Sequence, residues 1–122
     1  MKSQGIYLSW IVVKDIEKAI KFYTEVAGLE LKQFDREYHW AELSGPNGAI
    51  LGIAGESDEC PIKAGSNAIV TISVDDIDKA NAYYIEKGAT LVGEVIEVPG
   101  HVKMQTFVDI DGNTLQTVQK LD

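Results

Sequence analysis

Few residues in this chain are equipped for chemistry: Glu42, Gln116, the histidines His39 and His101, the single Cys60, and the tryptophans Trp10 and Trp40. Glu42 stands two residues after Trp40, so in a strand both side chains leave the same face. A carboxylate beside an aromatic plane is suited to holding a ligand cation or a proton, or to serving as a general base. Gln116 both donates and accepts, which suits a carbonyl or amide better than base catalysis. Trp10 and Trp40 offer flat π faces to an aromatic or cationic guest, or else fill the core.

The remaining candidates read as structural. His39 alternates onto the side of Ala41 and Leu43, away from Glu42, and His101 follows Pro99 and Gly100 in a break. Of the two, His101 is the better placed to reach a ligand, because loops at a mouth can do so. Cys60 has no histidine near it in sequence and reads as an inert loop thiol. Asp109, Asp111, Gly112 and Asn113 lack calcium-loop spacing and read as a turn.

These residues must be positioned by a hairpin at residues 107–119, FVDIDGNTLQTVQ. Asp109, Asp111 and Gly112 place turn formers between two alternating runs, and Gly112 supplies the positive φ that closes the turn. The register then sets Val108 opposite Thr114, Phe107 opposite Leu115 and Thr106 opposite Gln116. Residues 43–55, LSGPNGAILGIAG, carry the same turn chemistry at Pro46, Asn47 and Gly48. VVKDIEKAIKFYTEVAGLEL at residues 12–31 likewise recurs as SVDDIDKANAYYIEKGATLV, 61 residues later. The chain is one module written twice, each copy reading strand, helix, long strand, hairpin.

In copy one, residues 6–13 form a strand and Asp15 opens a helix that buries Ile16, Ala19, Ile20, Tyr23 and Val26, with Gly28 as its left-handed cap. Glu17, Lys18, Lys21 and Glu25 fall on its solvated side. Residues 55–66 are an aperiodic linker. In copy two a strand over 68–74 leads into a helix that opens at Asp75 or Asp76 and closes at Gly88, followed by a strand over 90–98. Ile11, Val13, Val70 and Ile72 point beneath the helices, so Leu8, Trp10, Val12, Ile69 and Thr71 point the other way. Trp40, Glu42, Gly52, Met104, Thr106 and Gln116 share that inner face. Two curved sheets sharing it would enclose a cup whose apolar and aromatic lining suits a small molecule. Glu42 needs a partner there, and Gly52 opposite it leaves space.

With 122 residues and 45% hydrophobic content, the chain makes one domain spanning residues 1–122. Nineteen acidic against eleven basic residues give a net charge of −8, which disfavours nucleic acid and mildly favours neutral or cationic partners. No run of eighteen apolar residues exists to enter a membrane, and the first ten residues lack the layout of a secretory signal, so the expected location is the cytoplasm. A lone cysteine fits that reducing compartment.

On VVKDIEKAIKFYTEVAGLEL, SVDDIDKANAYY and FVDIDGNTLQTVQ, the sequence resembles the vicinal oxygen chelate superfamily of glyoxalase I, bleomycin-resistance proteins and extradiol dioxygenases. The resemblance covers nearly the whole chain. It implies an α+β fold of two tandem βαβββ modules, about 5–56 and about 67–120, forming a cup-shaped mixed sheet with helices on the outer face, usually in a homodimer. Metal-binding members hold a divalent ion on the first and last strand of each module, and here those positions are Leu8, Gly52, Ile69 and Gln116. One neutral amide among three side chains without lone pairs does not hold a transition metal. No metal and no cofactor are therefore expected.

The leading expectation is a metal-free binding protein that takes up an aromatic, and in one version cationic, compound on Leu8, Trp10, Trp40, Glu42, Ile69, Thr71, Met104, Thr106 and Gln116. The alternative is a lyase or isomerase, either using Glu42 as general base without metal or recruiting an ion through Glu42, Gln116 and a loop histidine.

Overall fold

The computed structural model describes residues 7–58, 62–65 and 69–121. Cys60, together with residues 6 and 68 at the expected starts of the leading strands, lies outside them. Module one runs β1 (Ser9–Val13), α1 (Ile16–Glu25), β2 (Glu30–Asp35), β3 (Trp40–Ser44) and β4 (Ile50–Gly55). Module two runs β5 (Val70–Ser73), α2 (Ile77–Glu86), β6 (Thr90–Val98), β7 (Val102–Val108) and β8 (Thr114–Lys120).

Both helices begin on an aspartate whose carboxylate satisfies free N–H groups of the first turn. Asp15 accepts from the Lys18 N–H at 3.1 Å, and Asp76 from those of Asp78 and Lys79. Both end just before a glycine with positive φ, +80° at Gly28 and +90° at Gly88. The buried stripe of α1 is Ile16, Ala19, Phe22 and Tyr23. Phe22 joins it although the spacing assigned Ile20, which is half-buried instead.

Each module contributes its own four-stranded mixed sheet, in the orders β1-β4-β3-β2 and β5-β8-β7-β6. The pairs β1·β4 and β5·β8 are parallel and the others antiparallel. The final hairpin has the register read from its turn, with Val108, Phe107 and Thr106 opposite Thr114, Leu115 and Gln116. Gly112 has φ +81°.

One apolar core lies between sheets and helices and draws on both modules, joining Ile11, Val13, Leu43 and Ile53 to Tyr84, Phe107 and Leu115. A buried polar cluster also crosses the seam between modules. The buried Tyr23 hydroxyl donates to Asp109 Oδ2 at 2.8 Å, and Asn113 Nδ2 donates both to that carboxylate and to the Val12 carbonyl. Tyr83 on α2 donates its hydroxyl to the Glu25 carbonyl at 2.6 Å, tying the two helix ends. The β7–β8 turn, read from sequence as a turn only, is therefore also what docks module two onto module one.

Candidate functional site

Trp10 on β1 stands opposite Gly52 on β4, and Glu42 on β3 stands opposite the same glycine from the other side. Trp40, two pairs further along, faces Ala54. Because β4 runs between β1 and β3, the two indoles meet above it, with ring centroids 6.1 Å apart and planes tilted by 58°. A side chain at residue 52 would block this meeting, since a Cβ there would lie 2.6 Å from Trp40 Cζ2 and 3.0 Å from Trp10 Cβ. The space expected at Gly52 is thus occupied by the Trp40 ring.

The same ring supplies the partner that Glu42 needs. Trp40 Nε1 donates to Glu42 Oε2 at 2.9 Å, while the other carboxylate oxygen has no hydrogen bond to a described residue. Trp10 remains 41% exposed, and Trp40 and Glu42 are half-buried. The arrangement is a tilted aromatic pair with a fixed carboxylate at its edge, open to solvent on the face away from α1.

In module two Thr71, Gln116 and Thr106 lie abreast on β5, β8 and β7. Gln116 Nε2 reaches Thr106 Oγ1 at 3.5 Å, the outer limit of a hydrogen bond. Met104 faces Val118 and Ile96 on its two neighbouring strands. Ile69 is 55% exposed just before β5, and Leu8 is half-buried just before β1. No hydrogen bond or ring contact among the described residues joins the Trp10, Trp40 and Glu42 group to the Thr106 and Gln116 group.

The positions at which this fold can carry a metal do not fit one. Leu8, Gly52 and Ile69 present no lone pair, and the Gln116 amide is turned toward Thr106. Nor do the described residues include a group of three or more histidine, cysteine, aspartate or glutamate side chains able to hold an ion. His39 adopts φ +51° and packs its Cβ against Gly55, while His101 is exposed in the turn between β6 and β7.

Two features escaped the sequence reading. One is the Tyr23, Asp109 and Asn113 seam, where burial and the adjoining Asp109 carboxylate push the Tyr23 hydroxyl far above its usual range. Burial also raises the Asp111 carboxyl, against the opposing hydrogen bond from the Lys14 N–H. The other is a cleft of about 650 Å³ beside α1, bordered by Lys14, Lys18, Lys21 and Lys87. The spacing of Lys14 just before α1 and of Lys18 and Lys21 along it was its only signal in the sequence.

Comparison with known proteins sets these features in context. The family model for the Glyoxalase/Bleomycin resistance protein/Dioxygenase superfamily matches residues 6–117. Among solved structures, TnmS3, an antibiotic binding protein from Streptomyces sp. CB03234, superposes with a TM-score of 0.75 at 26% identity, covering 98% of this chain and 100% of its own. A glyoxalase/bleomycin resistance protein from the same Streptomyces strain superposes at 0.74 with 30% identity, covering 92% and 97%. The integron cassette structure VPC_CASS1, from the mobile metagenome of V. Pseudocholerae, superposes at 0.80 with 21% identity, covering 100% and 98%, a likeness of fold alone. No curated protein matches the chain.

Proposed function

Because this chain belongs to the Glyoxalase/Bleomycin resistance protein/Dioxygenase superfamily, we propose that it is a metal-independent binding protein for a small aromatic compound, held on Trp10, Trp40 and Glu42. The observation that carries this reading is the indole pair seated over Gly52 with Glu42 anchored by Trp40 Nε1. A planar guest covers the exposed Trp10 face, and a positive charge on it is met by the free oxygen of Glu42. Each cation contact of that kind contributes on the order of 0.5–2 kcal/mol. The likeness to a structure described as an antibiotic binding protein supports the same class of ligand.

The inner face of module two contributes Ile69, Thr71, Met104, Thr106 and Gln116, and Leu8 flanks the indoles. That face also exposes Val92, Ile96 and Val98 at 47%, 60% and 41%. Apolar side chains displayed together in this way are covered in the working protein, and a homodimer is the assembly that covers them. The site of action is the cytoplasm. Within the described residues, no helix is long and apolar enough to cross a membrane.

Tryptophan fluorescence titration against matched pairs of aromatic compounds, one cationic and one neutral, tests the proposal. Quenching that saturates in the wild type and disappears in Trp10→Ala is the expected result; no quenching by any aromatic compound defeats it. Elemental analysis of protein purified without chelator addresses the enzymatic alternative. A stoichiometric transition metal there would shift the reading to lyase or isomerase chemistry with Glu42 as the base.

A further inference from the structure

We propose that the cleft at the seam of the two modules is a second binding site, for a small amphipathic anion in which an apolar body carries a carboxylate. The cleft lies on the helix side of the sheets, so it is separate from the indole pair. Its floor is apolar, formed by the edges of Phe22 on α1, of Val26 capping the end of that helix, and of Ile110, which is 53% exposed at the tip of the β7–β8 turn. Its volume of about 650 Å³ is that of a small-molecule site.

Its rim is cationic in a chain of net charge −8. Lys14, Lys18 and Lys21 approach from the α1 side and Lys87 from the end of α2, four of the eleven basic residues in the whole chain. None of them forms an ion pair with a described residue. Among the described residues the salt bridges are Lys32 with Glu30 and Arg36 with Glu17, both elsewhere. The acidic neighbours form no salt bridge with the rim among the described residues, although Lys14 and Asp111 attract each other and the Lys87 ammonium lies 5.6 Å over the Tyr83 ring. Asp15 is engaged in capping α1 through the Lys18 N–H, and Asp111 accepts the backbone N–H of Lys14 rather than an ammonium group. Glu25 is the remaining carboxylate at the cleft.

Lysine ammonium groups around an apolar floor favour a single anionic head on an apolar body. A bare polyphosphate would leave Ile110 uncovered, and the one arginine of the chain, Arg36, is paired with Glu17. Such a ligand touches α1 of module one together with Ile110 and Lys87 of module two, so binding strengthens the docking of the modules.

The test uses the full chain labelled with ¹⁵N and titrated with 2-naphthoate, with 2-naphthamide as its uncharged counterpart. Amide resonances of Lys14, Phe22, Val26, Ile110 and Asp111 should move with naphthoate. The amide compound should bind about tenfold more weakly, and Lys18→Glu/Lys21→Glu should lose about tenfold in naphthoate affinity. Both lysines are exposed, so this variant retains the core. In Trp10→Ala the naphthoate-induced shifts of these cleft amides should follow the same titration curve as in the wild type, whatever becomes of binding at the indole pair. Equal binding of acid and amide, shifts confined to β1, β3 and β4, or unchanged affinity in the double variant would each overturn the proposal.

Discussion

Trp40 crosses Gly52 so closely that the glycine has no room for a side chain; a Cβ would come within 2.6 Å of the ring. Gly52→Ala must therefore displace the indole, separating it from Trp10 and breaking its hydrogen bond to Glu42. Overpacking of this kind costs about 1–3 kcal/mol. Urea denaturation should show a lower midpoint, and the tryptophan emission of the native protein should change with it.

This relationship also marks where the sequence stopped being informative. Strand alternation correctly placed Trp10, Trp40 and Glu42 on one face, because side-chain direction in a strand follows from a period of two. The rotamer of Trp40 does not follow from that period, so Gly52 looked like empty space when it is the seat of a ring. The hairpin register was legible because the spacing from Asp109 to Gly112 dictates a turn. The partnership of Asp109 with Tyr23 was not, because the two are far apart in the chain and the aspartate already had a local explanation in the turn. Lys18 and Lys21 were likewise correctly assigned to the solvated side of α1, but the opposing Lys87 and Ile110 come from module two.

Tyr23→Phe should destabilise the protein by about 1–3 kcal/mol, because it removes a donor from the buried Asp109 carboxylate and leaves the rest of the ring in place. Asn113 still donates to the same oxygen, which limits the loss. Tyr83→Phe also deletes one inter-module hydrogen bond, to the Glu25 carbonyl, but at an exposed site where water replaces it. Equilibrium denaturation of the two variants should rank Tyr23→Phe as clearly the more costly.

Alkaline pH provides an independent measure of the same core. Burial, and then the neighbouring Tyr83, push the Tyr84 hydroxyl up to about 12, against an ordinary value of 10.0. The folded state keeps a proton that the unfolded chain releases, so this group's contribution to stability is intact below pH 10 and is lost as pH rises from about 10 to about 12. Tyr84→Phe removes that loss. Between about pH 9 and about pH 11 the wild type should lose on the order of 1 kcal/mol more stability than the variant, read from denaturation midpoints at each pH.

The inner face of module two makes the last case. Ile96 on the edge strand β6 is 60% exposed and stands beside Met104 on the same face as Thr106 and Gln116. Ile85 on α2 is equally exposed, at 60%, but faces solvent on the helix layer. If a second copy covers the inner face, a charge introduced at Ile96 is buried without a partner on association, whereas one at Ile85 stays in water. Light scattering after size exclusion should then give a dimer for the wild type and for Ile85→Lys, and a monomer for Ile96→Lys. A wild type that elutes as a monomer at every concentration would remove the dimer from the proposal and leave the indole pair to bind its guest within a single chain.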